Sequence, residues 1–180
     1  MTHPKLVGIS GSLRKGSHNR LLLAEAVRLF GDADYTELDI NLPLYNGDDE
    51  EADGVPAAVE ALARQIADAD AVLISTPEYN KGPSGVLKNA LDWISRAQVK
   101  PWGDKPVAVM SAAAGRAGGE RAQMVLRGFM VPFRPRILQG PEIHLAASYE
   151  AFDDAGQLTG EMYIKDLTDL MTALRADITR

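Results

Sequence analysis

Along the chain, short apolar runs that stop abruptly alternate with longer stretches whose apolar residues recur every three or four positions. The runs at 5–10 (KLVGIS), 71–76 (AVLIST) and 106–112 (PVAVMSA) are too brief for helices and read as buried strands. Residues 33–40 (ADYTELDI) alternate and read as a second strand. A fifth is expected within 133–145, where Pro135 cannot donate to a ladder and so belongs at a sheet edge. Helical spacing follows Asn19 through Leu22, Val27 and Phe30, and returns over 55–69 with Pro56 in the first turn and Val59, Leu62 and Ile66 on one face. It recurs after Pro83 with Leu87, Ala90, Leu91 and Ile94, over 120–130 with Leu126, and over 161–178. Alternation of this kind predicts an α/β doubly wound sandwich, one domain over 1–180, with a five-stranded parallel sheet in the order 2-1-3-4-5. Its switch point lies between the first and third strands. Ligands in such sheets bind beyond the carboxyl ends of the strands at that point.

Composition narrows the chemistry. Among 180 residues there is no cysteine, which removes disulfides, iron-sulfur clusters, thiolate zinc and a cysteine nucleophile. Redox chemistry would have to borrow a cofactor. A net charge of -6, from 25 acidic and 19 basic residues, argues against nucleic acid as a partner. No apolar run is long enough to span a bilayer, and MTHPKLVGIS does not read as a leader, so a cytoplasmic protein with no membrane partner is expected. The acids at 48–51 read as part of a solvated loop over 41–54, because no histidine or second acidic cluster stands at ligand spacing.

Three loops fall at the carboxyl ends of strands. After the first strand, Gly11 and Gly16 permit tight bends, and the hydroxyls of Ser10, Ser12 and Ser17 converge with the charge of Arg14 on the start of a helix. Free N–H groups and the positive dipole end make that volume suited to a phosphate monoester. Neither G-x-G-x-x-G nor G-K-[ST] is present, so the loop is not a dinucleotide fingerprint or a Walker loop. Ser17 or Asn19 is placed to cap the helix, and His18 is expected to be exposed there. An ordinary strand-to-helix connector shows the same pattern. After the third strand comes PEYNKGPSG at 77–85, where Pro77 ends the buried run, Tyr79 presents a ring and Asn80 can donate and accept. Glu78 either caps a helix or pairs with Arg116 or Lys81. After the fourth strand, the small residues at 113–119 allow close approach of backbone to a ligand.

Together, GSLRKGSHN at 11–19 and TPEYNKGPSGVLKNALDW at 76–93 resemble the NADPH-dependent FMN reductase family, flavodoxin-like flavoproteins that include bacterial chromate, azo-dye and quinone reductases. The resemblance implies a noncovalent FMN whose phosphate is held by Ser10, Ser12, Arg14, Ser17 and Asn19. It implies that Pro77, Glu78, Tyr79 and Asn80 line the ring, and that Ser111 and the loop through Gly115 and Gly118 close its far edge. It further implies NADPH or NADH as electron donor, a small-molecule acceptor, and a homodimer or homotetramer with the site near a subunit boundary. Flavin chemistry needs little side-chain acid or base work, so no catalytic residue is named. Two alternatives stay open: a flavodoxin-type electron carrier serving protein partners, and an interaction module with an empty site.

Overall fold

In the computed structural model, which describes residues 3–180, the short apolar runs become strands of one sheet. Strand β1 (Lys5–Ser10) lies between β2 (Asp34–Leu38) and β3 (Ala71–Thr76), with β4 (Pro106–Ala112) and β5 (Arg136–Ile137) beyond. The order β2-β1-β3-β4-β5 is the expected one, and every pairing is parallel. The fifth lane is split. β5 pairs with Pro106 and Val107, and β6 (Ile143–Leu145) then takes over at Met110, Ser111 and Ala112. Pro135 precedes the first piece and Pro141 the second, and a residue without an N–H cannot extend a ladder.

The helices are α1 (His18–Phe30), α2 (Gly47–Asp53), α3 (Ala57–Asp68), α4 (Gly85–Arg96), α5 (Glu120–Met130) and α6 (Glu161–Ile178). Alternation along the strands divides the core in two. Val7, Ile9, Val72, Ile74, Val107 and Val109 face α3, α4 and the inner side of α5. Leu6, Leu73, Ala108 and Met110 face α1 and α6. The chain thus leaves β1 toward one face and β3 toward the other, and the crevice between their carboxyl ends is the switch point.

Besides the split fifth strand, which makes the sheet six-stranded rather than five-stranded, a helix differs from expectation. Residues 47–53, read as loop, coil into α2, which buries none of its residues and so has no apolar stripe to announce it. Its start is set locally: the Asn46 side chain accepts from Asp48 N at 3.1 Å, and the acids of the first turn complement the helix dipole.

Candidate active site at the carboxyl ends of β1, β3 and β4

The loop after β1 is pinned close against its neighbour. Gly11 N donates to Ser75 O at 2.8 Å, and Ser84 Oγ donates to Gly11 O at 2.5 Å. A Cβ at Gly11 would lie 3.0 Å from Thr76 Oγ1 and 3.1 Å from Pro77 Cδ, so glycine is what lets the two loops meet. Ser10 lies underneath. Its Oγ donates to Ser12 O at 3.2 Å and accepts from Ser12 N at 3.3 Å, so the hydroxyl shapes the turn and does not line the cavity above it.

Ser17 is the N-cap residue of α1, yet neither it nor Asn19 caps with its side chain. Asn19 is buried: Nδ2 donates to Ala112 O at 3.0 Å, and Oδ1 accepts from Ser75 Oγ at 2.8 Å and Ala112 N at 3.0 Å. Asn19 therefore ties α1 to β3 and β4 and keeps one N–H to spare. Among the described residues, the first-turn N–H groups of His18 and Asn19 and the Ser17 hydroxyl take no partner, and the Arg14 guanidinium forms no ion pair. Unspent donors at a helix start attract an anion. His18, expected in solvent, is partly buried, with Nδ1 2.9 Å from Ser148 Oγ.

After β3, Pro77 is buried and the chain makes a two-residue hairpin turn. Tyr79 N donates to Gly82 O at 2.9 Å and Gly82 N to Tyr79 O at 3.0 Å, with Asn80 and Lys81 at φ 50° and 65°. These are the angles of a type I′ turn, which carries Asn80 out to solvent and away from the cavity. Glu78 resolves in favour of capping. Its Oε2 accepts from Arg121 N at 3.1 Å and Ala122 N at 3.3 Å in the first turn of α5, and Oε1 lies 3.6 Å from Arg121 Nη1; neither Arg116 nor Lys81 is its partner.

After β4, Ser111 is fully buried and lies beneath the loop, its Oγ donating to Gly118 O at 2.6 Å. The loop itself, from Ala112 through Gly115 to Gly119, forms the far wall. Ser12, Arg14, Ser17, Asn19, Pro77, Glu78, Tyr79 and Gly115 thus surround one cavity of about 370 Å³, and Ser10, Asn80 and Ser111 do not. Sequence reasoning passed over His18, although its place between Ser17 and Asn19 was the signal. It also missed Ser148, for which no motif exists: a lone polar residue reaches the site only through the course of the chain after β6.

The volume lies within the range of small-molecule sites, roughly 300–1,000 Å³. Unpaired donors and a cation gather at one end and a small-residue wall at the other, a donor set that fits a phosphate joined to a flat heterocycle. No group of His, Asp and Glu suited to a metal ion occurs among the described residues.

Comparison with known proteins agrees with that fit. The NADPH-dependent FMN reductase family model matches residues 4–150. The chain is 43% identical over 178 residues to an NAD(P)H-dependent FMN reductase of Pseudomonas aeruginosa, covering 98% of this chain and 96% of that one. It is 35% identical to a quinone reductase of Escherichia coli over 184 residues, again 98% and 96% of the two chains. Among solved structures it is similar to the flavoenzyme NAD(P)H:(acceptor) oxidoreductase FerB of Paracoccus denitrificans, with TM-score 0.87, 34% identity and coverage of 98% and 97%. The shared extent is nearly the whole chain, crevice loops included, and the chain belongs to the NADPH-dependent FMN reductase family.

Proposed function

We propose that this protein is an FMN-dependent NAD(P)H oxidoreductase that passes electrons from a reduced nicotinamide to quinones and comparable small acceptors. The observation that carries the reading is the set of donors at the start of α1 that have no partner among the described residues, with Ser17 and Arg14, in the crevice at the switch point. Bound FMN supplies the electron-transfer chemistry between the two substrates.

The chain's own residues bind, orient and wall off. Ser12, Arg14, Ser17 and the first-turn N–H groups hold the phosphate, with charge assistance from the guanidinium. Pro77 and Tyr79 flank the ring, and Glu78 acts by fixing the start of α5 beside it. The small residues from Ala112 to Gly119 bring main chain against the ring where larger side chains would fill the cavity. Asn19 holds the phosphate end and the far wall at a fixed separation, because the same amide spans β3 and β4.

Donor and acceptor use one entrance in turn, so initial rates at several acceptor concentrations should give parallel double-reciprocal lines. The direct test is anaerobic. Purified protein saturated with FMN should lose its yellow colour on addition of NADPH or NADH and regain it on addition of a benzoquinone. A protein that stays colourless after incubation with FMN and removal of excess would defeat the reading.

A further inference from the structure

The Gly118–Gly119 peptide lies in the loop that forms the far wall of the cavity, and both residues have positive φ, 58° and 93°. Turning a peptide plane changes ψ of the residue before it and φ of the residue after it, and side chains at those two positions are what usually resist the turn. Here there are none. Nor can any be added: a Cβ on Gly118 would run into the His144 carbonyl, and one on Gly119 would lie 2.6 Å from Ser111 Cβ. The local chain therefore leaves free to flip a peptide that the site needs fixed.

Its orientation is held from beneath. Gln123 of α5 is buried, and its Nε2 donates to the Ile143 carbonyl and to Ser111 Oγ, each at 2.8 Å. A carbonyl only accepts, so Ile143 decides which end of the amide faces Ser111. Ser111 Oγ then accepts a hydrogen bond from Gln123 and is left to donate its own O–H elsewhere, and Gly118 O stands 2.6 Å away. With Gly118 C=O drawn inward, the trans peptide points Gly119 N–H the opposite way. That N–H has no acceptor among the described residues. Gln123 Oε1 is buried and has no partner among the described residues, so the amide is engaged only through its Nε2 end.

We propose that Gln123 and Ser111 are positioning residues that lock the Gly118–Gly119 peptide with its N–H offered to the cavity, as a main-chain donor to the heterocycle of a bound flavin. The proposal rests on the FMN reading, and it gives Ser111 a role that needs no contact with the ligand.

Ser111→Ala and Gln123→Met test it at two points of the relay, in variants that keep the wild-type circular dichroism spectrum. In isotope-labelled apo protein the Gly119 amide should give one sharp resonance in wild type and a doubled or broadened one in both variants. FMN should bind Ser111→Ala about tenfold more weakly, the loss of one donor to the ring, and the midpoint potential of the bound flavin should shift in both variants. An unchanged Gly119 resonance in both variants would overturn the lock, and FMN affinity and potential equal to wild type would overturn the donor role. A wild type that takes no FMN would overturn the functional reading and the donor role together, and the amide spectra, recorded without flavin, would still decide the lock.

Discussion

Asn19 and Arg14 stand five positions apart in one loop-to-helix segment and are spent differently. The Asn19 amide is committed to main chain and hydroxyl groups of β3 and β4, the farthest 93 positions away in sequence. Arg14 is exposed and forms no ion pair among the described residues, so its charge is available to a ligand. Arg14→Ala should therefore weaken FMN by roughly tenfold to a hundredfold, the loss of about 1.5–3 kcal/mol for a hydrogen bond to a charged group, with little change in apo stability. Fluorescence titration of the apo protein checks this, and retention equal to wild type would take Arg14 out of the site. The residue types of the cradle were legible in the sequence because hydroxyls, glycines and a cation before a helical pattern suit an anion. Which of them face the cavity was not. Ser10 and Ser12 differ by two positions, and only the turn places one below and one at the cavity.

At the scale of elements, two carboxylates tie helices to their neighbours. Glu78, two residues past β3, accepts from the first-turn N–H groups of Arg121 and Ala122 and so couples the loop after β3 to α5. Glu78→Ala should cost about 1 kcal/mol, as loss of a helix cap does, and should lower the melting temperature of the apo protein. A melting temperature equal to wild type would show that the cap contributes nothing. Glu50 of α2 accepts from Arg96 Nε at 2.9 Å and from Tyr45 OH at 2.9 Å, and the Arg96 bond, opposed by desolvation and supported by Tyr45, holds its carboxyl below the usual 4.5. The folded-state pKa is depressed, so this contribution is complete above the unfolded value and is lost as pH falls through the folded one. Urea titrations of wild type and Glu50→Gln should therefore differ at about pH 7, and the difference should shrink as pH falls below the usual carboxylate range. The anchor explains why α2 exists at all: the Asn46 cap, the dipole and this clamp to α4 replace the buried face that a helical pattern would have needed.

For the whole molecule, large apolar side chains stand in solvent on the side that carries the crevice and the start of α5. Tyr79 is 55% exposed, and one turn along α5 from the Glu78 contacts Met124 is 63% exposed. We propose that this side meets further copies of the chain as a homodimer or homotetramer. Light scattering should return the mass of two or four chains, and Met124→Glu should shift the distribution toward single chains, since a buried charge without a partner disfavours association. A single-chain mass for the wild type would remove the proposal. No helix among the described residues is long and apolar enough to cross a membrane.

The apolar rhythm of this chain was enough to anticipate the sheet order, the two covered faces and the crevice, because burial on alternate sides leaves a period in the sequence that topology rules convert into an order of strands. Strand β3, strand β4 and helix α6 occupy the spans expected of them. Polar commitments leave no such period. That Asn19 bridges two strands, that Glu78 caps α5, that Ser148 joins the cavity and that Ser111 holds a glycine carbonyl from below depends on distant atoms brought within hydrogen-bond reach. A hydrogen bond is decided within a few tenths of an ångström, and only packing of the whole chain sets distances that finely.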